Sequence, residues 1–525
     1  MVSQIDLIPI EGAELDQGLL TWKTTTNGGV GNAKQDDIIC ILAPSNVEDT
    51  QPSFIVCCLA EDASDPDSPY KPSFLSANTL PETLLEQHLI RSLPSHLRND
   101  PQAKNKVDVI VSVKSGTNLS LTFWETVLQP LLRLSREILR LPASSDGNAH
   151  ARDAQITAGE PHIVVTQTAH SVRQYAQALA APADQEEADT SGSSESRTII
   201  LLSGDGGVVD LLNGGGGESD GMASRKGGSP ATTPVIALMP LGTGNALFHS
   251  LHKPVAAAAT DVSPLVLALR TLFRGSPANL PTFRASFSPG SCITSFAGGS
   301  DTVKEEVDGT QPQMKETPVE YLQGAIVASY GFHASVVYES DTPEYRLHGA
   351  KRFGMVAQDL LRESHPYRAH VDIRRTSTAS GSSGPSNDAQ LERVPRESHG
   401  YVLTTLVSNL ERTFCISPDS EPLDGQMRLV HFAPIGGERT MAAMMAAYDG
   451  GKHIGMVWDE DGEKIGYEQI EEVRVTVLEE EARWRKVCID GTIVEIPRGG
   501  SMSVKKAEES RSAFRVLVDP RVVKS

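Results

Sequence analysis

From about residue 105 to 280, short apolar runs alternate with stretches of helical spacing. Val107 to Val113 reads as a strand, and so do His162 to Val165, Thr198 to Leu202 and Val235 to Met239. Between and after them, Leu119 to Leu141 carries Leu121, Trp124, Leu128, Leu131, Leu132 and Ile138 at helical spacing. Further helices are predicted from His170 to Ala181, from Val208, through Leu251, and from Leu265 to Phe273. Strand–helix alternation predicts a parallel α/β sheet, which places ligands at the carboxyl ends of its strands.

After Thr282 the texture changes. Short runs recur at Gly324 to Ala328, Tyr401 to Val407, Met427 to Phe432, Val473 to Val477, Lys486 to Ile489 and Phe514 to Val518. These predict a mostly antiparallel β domain with one helix, Met441 to Tyr448, packed on it. Asp37 to Leu42 and Ser53 to Leu59 predict a small β-rich module over residues 1–100. The expected organisation is that module, an α/β domain over 101–282 and a β-rich domain over 283–525. Four polar, Ser/Gly-rich stretches (182–196, 214–234, 298–317 and 376–397) lack any apolar periodicity and are expected to be disordered insertions.

The formal net charge of −20 over 525 residues argues against nucleic acid as a partner, since phosphate needs a basic face. Six scattered cysteines form no CxxC pair and suit reduced thiols. Met1 to Leu20 has no apolar leader core, and no run approaches the roughly 20 residues of a membrane helix. A cytoplasmic protein is expected, with any contact to lipid peripheral. Oligomeric state is not legible.

The chemistry concentrates in two glycine-rich turns about forty residues apart, each between a predicted strand and a predicted helix. The first is Ser203-Gly204-Asp205-Gly206-Gly207, the second Leu241-Gly242-Thr243-Gly244-Asn245. Small residues let backbone N–H groups approach phosphate, and a helix N-terminus favours the anion. No G-x4-G-K-[ST] occurs, which excludes a P-loop, and no G-x-G-x-x-G follows the first strand. A carboxylate inside the first turn suits a base for an incoming hydroxyl, so the reading is a kinase. The bland readings are an Asp-Gly turn for Asp205 and an N-cap for Asn245.

Residues 203–214 (SGDGGVVDLLNG) resemble the signature of the diacylglycerol kinase catalytic-domain superfamily, which includes sphingosine and ceramide kinases. Met239 to Leu251 resembles the sphingosine kinase version. Ser329 to Asp341, Tyr345-Arg346, Lys351-Arg352-Phe353, Arg439 to Ala442, Gly450 to Ile454 and Cys488 to Gly491 resemble later blocks. The resemblance implies a two-domain ATP- and Mg-dependent lipid kinase with a cleft between its domains. It would phosphorylate the primary hydroxyl of a sphingoid base, with ceramide or diacylglycerol as alternatives. Asp205 would be the catalytic base. Ser112, Thr166, Ser203, Gly204, Gly206, Gly207, Gly242, Thr243, Gly244 and Asn245 would hold the nucleotide. Arg346 and Arg352 would sit on phosphate, Asp490 near phosphate or metal, and Asp210 would be accessory. No metal ligand set is assigned.

Three departures bear on this. Ser112 to Gly116 stands where the family has an Asn-Pro turn, so a looser turn is expected. Thr492 follows the late Asp-Gly where a Glu is usual. Val337, with Ser335 upstream, stands where sphingosine kinases place a carboxylate for the lipid amine. A pseudokinase that binds lipid or nucleotide without turnover is the reading from another class.

Overall fold

The computed structural model describes residues 5–43, 54–99, 105–116, 118–139, 159–180, 196–214, 233–258, 261–296, 314–349, 351–376, 391–508 and 513–523. Most of the four expected insertions lies outside these residues. Their edges do not: Met314–Pro318 is a strand paired with Cys292–Phe296, and Glu392–Arg393 pairs with Tyr367–Arg375. Polar composition alone hid these strands, because each pairs at a sheet edge where one face meets water.

Three sheets organise the described residues. The first has seven strands, all between Ile8 and Ile90. Its strand Ile38–Leu42 is buried along its whole length. The sheet docks on helix Pro264–Arg274 through Arg270, which donates from Nε to the Ile38 carbonyl (2.8 Å) and from Nη2 to Gln35 (3.0 Å) and Asp36 (3.2 Å). One apolar core runs continuously from this sheet into the next.

The second sheet has six strands. Ser196–Ser203 is central, flanked in parallel by Asn105–Val111 and Val235–Pro240, with His162–Val165 outside Asn105–Val111. Its apolar residues are buried on both sides, as a parallel sheet requires. On the other edge lies Arg515–Val518, parallel to Val235–Pro240, with Ser276–Asn279 antiparallel beyond it. The sequence placed Phe514 to Val518 in the β domain; the chain instead returns to complete the α/β sheet. An apolar run states that a strand is buried but not which edge it joins. The helix predicted from Leu119 to Leu141 is one continuous element over Ser120–Ile138 with a π turn at Trp124–Leu128. Described residues of the other predicted helices lie in Ser171–Ala180, Asp205–Gly214, Ala246–Ala258 and Pro264–Arg274.

The third sheet joins fourteen strands, all paired antiparallel. The long strand Gly466–Val477 belongs to two parts of it. Its first residues pair with Arg428–Phe432, and its later ones pair with Tyr367–Arg375 and Ser501–Lys506. The expected helix appears as Gly437–Tyr448. Three further helices, Phe332–Ser340, Pro343–Arg346 and Lys351–Glu363, were not expected. They fill the stretch between Val327–Gly331 and Tyr367–Arg375 where the sequence showed only family blocks.

Candidate active site

Four neighbouring strands of the parallel sheet end on one side, and their turns touch. Ser112 N–H donates to the Leu202 carbonyl (3.0 Å), and Thr166 N–H to that of Val111 (3.0 Å). Buried Thr166 accepts the Val113 N–H at its Oγ1 (3.2 Å). Ser115 Oγ bonds Ser112 Oγ (2.7 Å) and contacts Ser203 Oγ (3.1 Å). Three hydroxyls therefore knit the turn that the sequence expected to be loose.

The two glycine turns meet backbone to backbone. A Cβ on Gly204 would stand 2.7 Å from Gly242 Cα, and one on Gly242 would stand 2.3 Å from Gly204 Cα. Gly116 has φ +54°, and a Cβ there would meet the Leu241 carbonyl at 2.3 Å. Side chains at these positions would force the strands' ends apart. Gly206 and Thr243, by contrast, are exposed, and Gly206 has open space where a Cβ would point.

Asp205 heads helix Asp205–Gly214, yet its carboxylate caps another helix. It accepts the Ala246 N–H (2.7 Å) and the Leu247 N–H (3.1 Å) at the start of Ala246–Ala258. Burial raises its pKa, and these two N–H groups hold the rise back. Asp490 answers from the β sheet. It is buried, takes φ +46°, and accepts N–H groups of Ala325 (2.7 Å), Ile326 (3.1 Å) and Val327 (2.6 Å). Burial pushes its pKa up to about 7, the three N–H groups oppose this, and the nearby Asp205 carboxylate adds to it. Two carboxylates from different sheets thus stand close enough to sense each other.

Other predicted residues have partners within the chain. Asn245, at φ +53°, turns its amide inward: Oδ1 accepts the Gly242 N–H (2.9 Å) and Nδ2 donates to the Gly242 carbonyl (2.9 Å). It shapes the turn that was expected to use it on nucleotide. Arg346 forms a two-point pair with Asp341 (3.0 and 2.7 Å), and Arg352 lies over the Phe353 ring (4.8 Å). Asp341 lies five residues before Arg346, near enough to engage it. Asp210 pairs with Arg173 at 3.4 Å; burial raises its pKa and Arg173 opposes this. Gly207 N–H bonds the Gly204 carbonyl (3.1 Å), and Gly244 approaches the Leu410 carbonyl.

Residues without an expected role join the α/β and β units. Asn213 exchanges two bonds with the backbone of Gln323: its Nδ2 donates to O (2.9 Å) and its Oδ1 accepts N–H (2.8 Å). Ser250 Oγ bonds Asn409, and Lys253 donates to the Pro418 carbonyl (3.1 Å). Asn213 lies within the SGDGGVVDLLNG motif, so its place was legible but its partner, far along the chain, was not.

Residues 106–276 match the family described as diacylglycerol kinase catalytic domain. Over this stretch the chain is similar to that catalytic domain. The match spans the α/β sheet's turns, Asp205 and both glycine motifs. No curated protein matches the chain. Among solved structures, a diacylglycerol kinase from Bacillus anthracis str. Sterne is 13% identical with a TM-score of 0.39, covering 80% of this chain and 98% of that one. Yeast NADH kinase complexed with NADH is 10% identical with a TM-score of 0.31, covering 91% of this chain and 92% of that one. Among the described residues, no helix is long and apolar enough to cross a membrane, and no group of three His, Cys, Asp or Glu gathers to hold a metal.

Proposed function

We propose that this chain is an ATP-dependent lipid kinase that transfers the γ-phosphate to the primary hydroxyl of a long-chain lipid. The observation that carries the reading is Asp205, a carboxylate at the junction of two abutting glycine turns and two helix N-termini. The acceptor is taken as a sphingoid base, on the resemblance of Met239 to Leu251, with ceramide and diacylglycerol as the alternatives. The lipid would be met as a peripheral protein.

Asp205 takes the proton of the acceptor hydroxyl as its oxygen bonds to the γ-phosphorus and ADP leaves with the bridging oxygen. A raised pKa brings a base nearer its operating pH. Exposed Gly206 and Thr243 leave the turns open to phosphate. An arriving phosphate would compete with Asp341 for Arg346. Magnesium, when bound with ATP, supplies neutralisation of phosphate charge. Both Asp490 oxygens already accept backbone N–H groups, and no ligand cluster gathers among the described residues, so no magnesium ligand is assigned to this chain.

The test is phosphate transfer from labelled ATP-Mg to sphingosine, dihydrosphingosine, ceramide and diacylglycerol in mixed micelles. Asp205→Asn keeps an oxygen for capping, so the fold and nucleotide affinity should persist while turnover falls about 10²-fold or more. Transfer by the wild type that survives in Asp205→Asn removes Asp205 from the mechanism. Absence of transfer to every lipid, with ATP still bound, favours the pseudokinase.

A further inference from the structure

Asp205 and Asp490 belong to different sheets, so something must fix their separation. The helix that Asp205 heads is ten residues long and ends at Asn213-Gly214. That end is locked on its own side: a Cβ on Gly214 would strike Ala176 Cβ at 2.3 Å, so it lies directly on helix Ser171–Ala180. Asn213 then reaches across to Gln323 in strand Tyr321–Gly324. This strand ends its path through the third sheet; it pairs on one side with Phe283–Phe287. The Asn213 amide meets the Gln323 N–H and C=O with a complementary oxygen and N–H, as another strand would. Its Nδ2 also holds the Val209 carbonyl of its own helix (2.9 Å), which fixes the side chain's direction. The very next residues after this strand, Ala325 to Val327, supply the three N–H groups that hold Asp490.

We propose that Asn213 is a positioning residue, a two-point clamp that sets how the Asp205 helix and the Asp490 site face each other. The inference rests on the kinase reading of those carboxylates. The clamp ties one rigid helix, carrying Asp205 at one end, to the backbone segment whose N–H groups hold Asp490. Ser250 with Asn409 and Lys253 with Pro418 make further ties, but these start from the helix that Asp205 caps and not from the one that carries it. Loosening Asn213 therefore lets the two carboxylates drift while each keeps its own backbone partners.

Asn213→Asp keeps the shape but turns the donor to Gln323 and Val209 into a charged acceptor that both carbonyls repel, and Asn213→Ala removes both arms without adding charge, so the two are read together. Both should unfold within a few degrees of wild type, and kcat should fall about ten-fold or more while KM for ATP stays within about three-fold. Backbone amides of 325–327 should exchange faster in both variants. Unchanged kcat in both variants, or unaltered exchange at 325–327, overturns the proposal. So does a loss of kcat that merely follows lost stability, with KM for ATP rising in step. If the wild type transfers no phosphate, the kinase reading fails by itself, and unaltered exchange at 325–327 then overturns the clamp as well.

Discussion

Asp490 combines three features that seldom coincide: a left-handed backbone, full use of three N–H groups, and a pKa displaced to about 7. The sign of its effect on stability follows. Its folded value lies above the unfolded carboxylate value of about 3.9. Between about pH 4 and 7 the native state holds a proton that the unfolded chain has released, so this group's contribution falls as pH rises. Asp490→Asn removes the charge and still tolerates positive φ. Its Nδ2 cannot accept the N–H groups that one carboxylate oxygen takes, so we expect the variant to melt below wild type at pH 4 and the gap to narrow toward pH 7.5, while phosphate transfer falls. A Tm difference that stays constant over that range would show that Asp490 does not titrate there. At this scale the sequence exposed the chemistry that lies in contiguous residues. Asp205 and the glycines were legible because a turn must be built from neighbours. The placing of Arg346 was not, because an ion pair with Asp341 satisfies the same guanidinium that a phosphate would use.

The glycine turns show how an element's shape is set by what cannot be added to it. Gly242 lies against Gly204 so closely that an alanine methyl would meet backbone, which has no rotamer by which to yield. Gly242→Ala should cost about 1–3 kcal/mol in urea unfolding and weaken nucleotide binding. Gly206→Ala, one turn away in open space, should leave stability unchanged or raise it by up to about 1 kcal/mol through helix propensity. Equal stability losses in the two variants would mean that the turns do not pack as described. The same local logic explains how much of the fold was readable. Buried parallel strands announce themselves as unbroken apolar runs, and Thr198 to Leu202 and Val235 to Met239 did so. Helix Phe332–Ser340 did not, since its residues show almost no one-sided pattern: buried Phe332, Ala334 and Ser335 precede partly buried Val336 and Val337. Partner choice was the least legible property. Arg515–Val518 and Lys486–Ile489 look alike as runs, yet one completes the α/β sheet and the other the antiparallel sheet.

The whole molecule stores its acid sensitivity in buried imidazoles spread over all three sheets' territory. Burial lowers His88 to about 3 and His249, His252, His333 and His399 to about 4. For these groups the folded values lie below the unfolded value of about 6.5. Unfolding therefore takes up protons between about pH 6.5 and 4, and stability contributed by the neutral rings is lost as pH falls through that window. Asp490 acts in the opposite sense over much of the same range, as do Asp205 and Asp210, whose values burial also raises, while His96 and His453 join the histidines. Stability measured by urea at pH 7, 6 and 5 should drop, with a net uptake of protons on unfolding near pH 5. A flat stability from pH 7 to 5 would contradict the burial of these rings. The two pH effects can also be told apart in one preparation. Near pH 6 Asp490 is mostly protonated while the histidines remain largely neutral, so transfer should be lost from a chain that is still folded. That loss should reverse at once on returning to pH 8. Loss below pH 5 should instead follow unfolding, and should recover only as fast as the chain refolds.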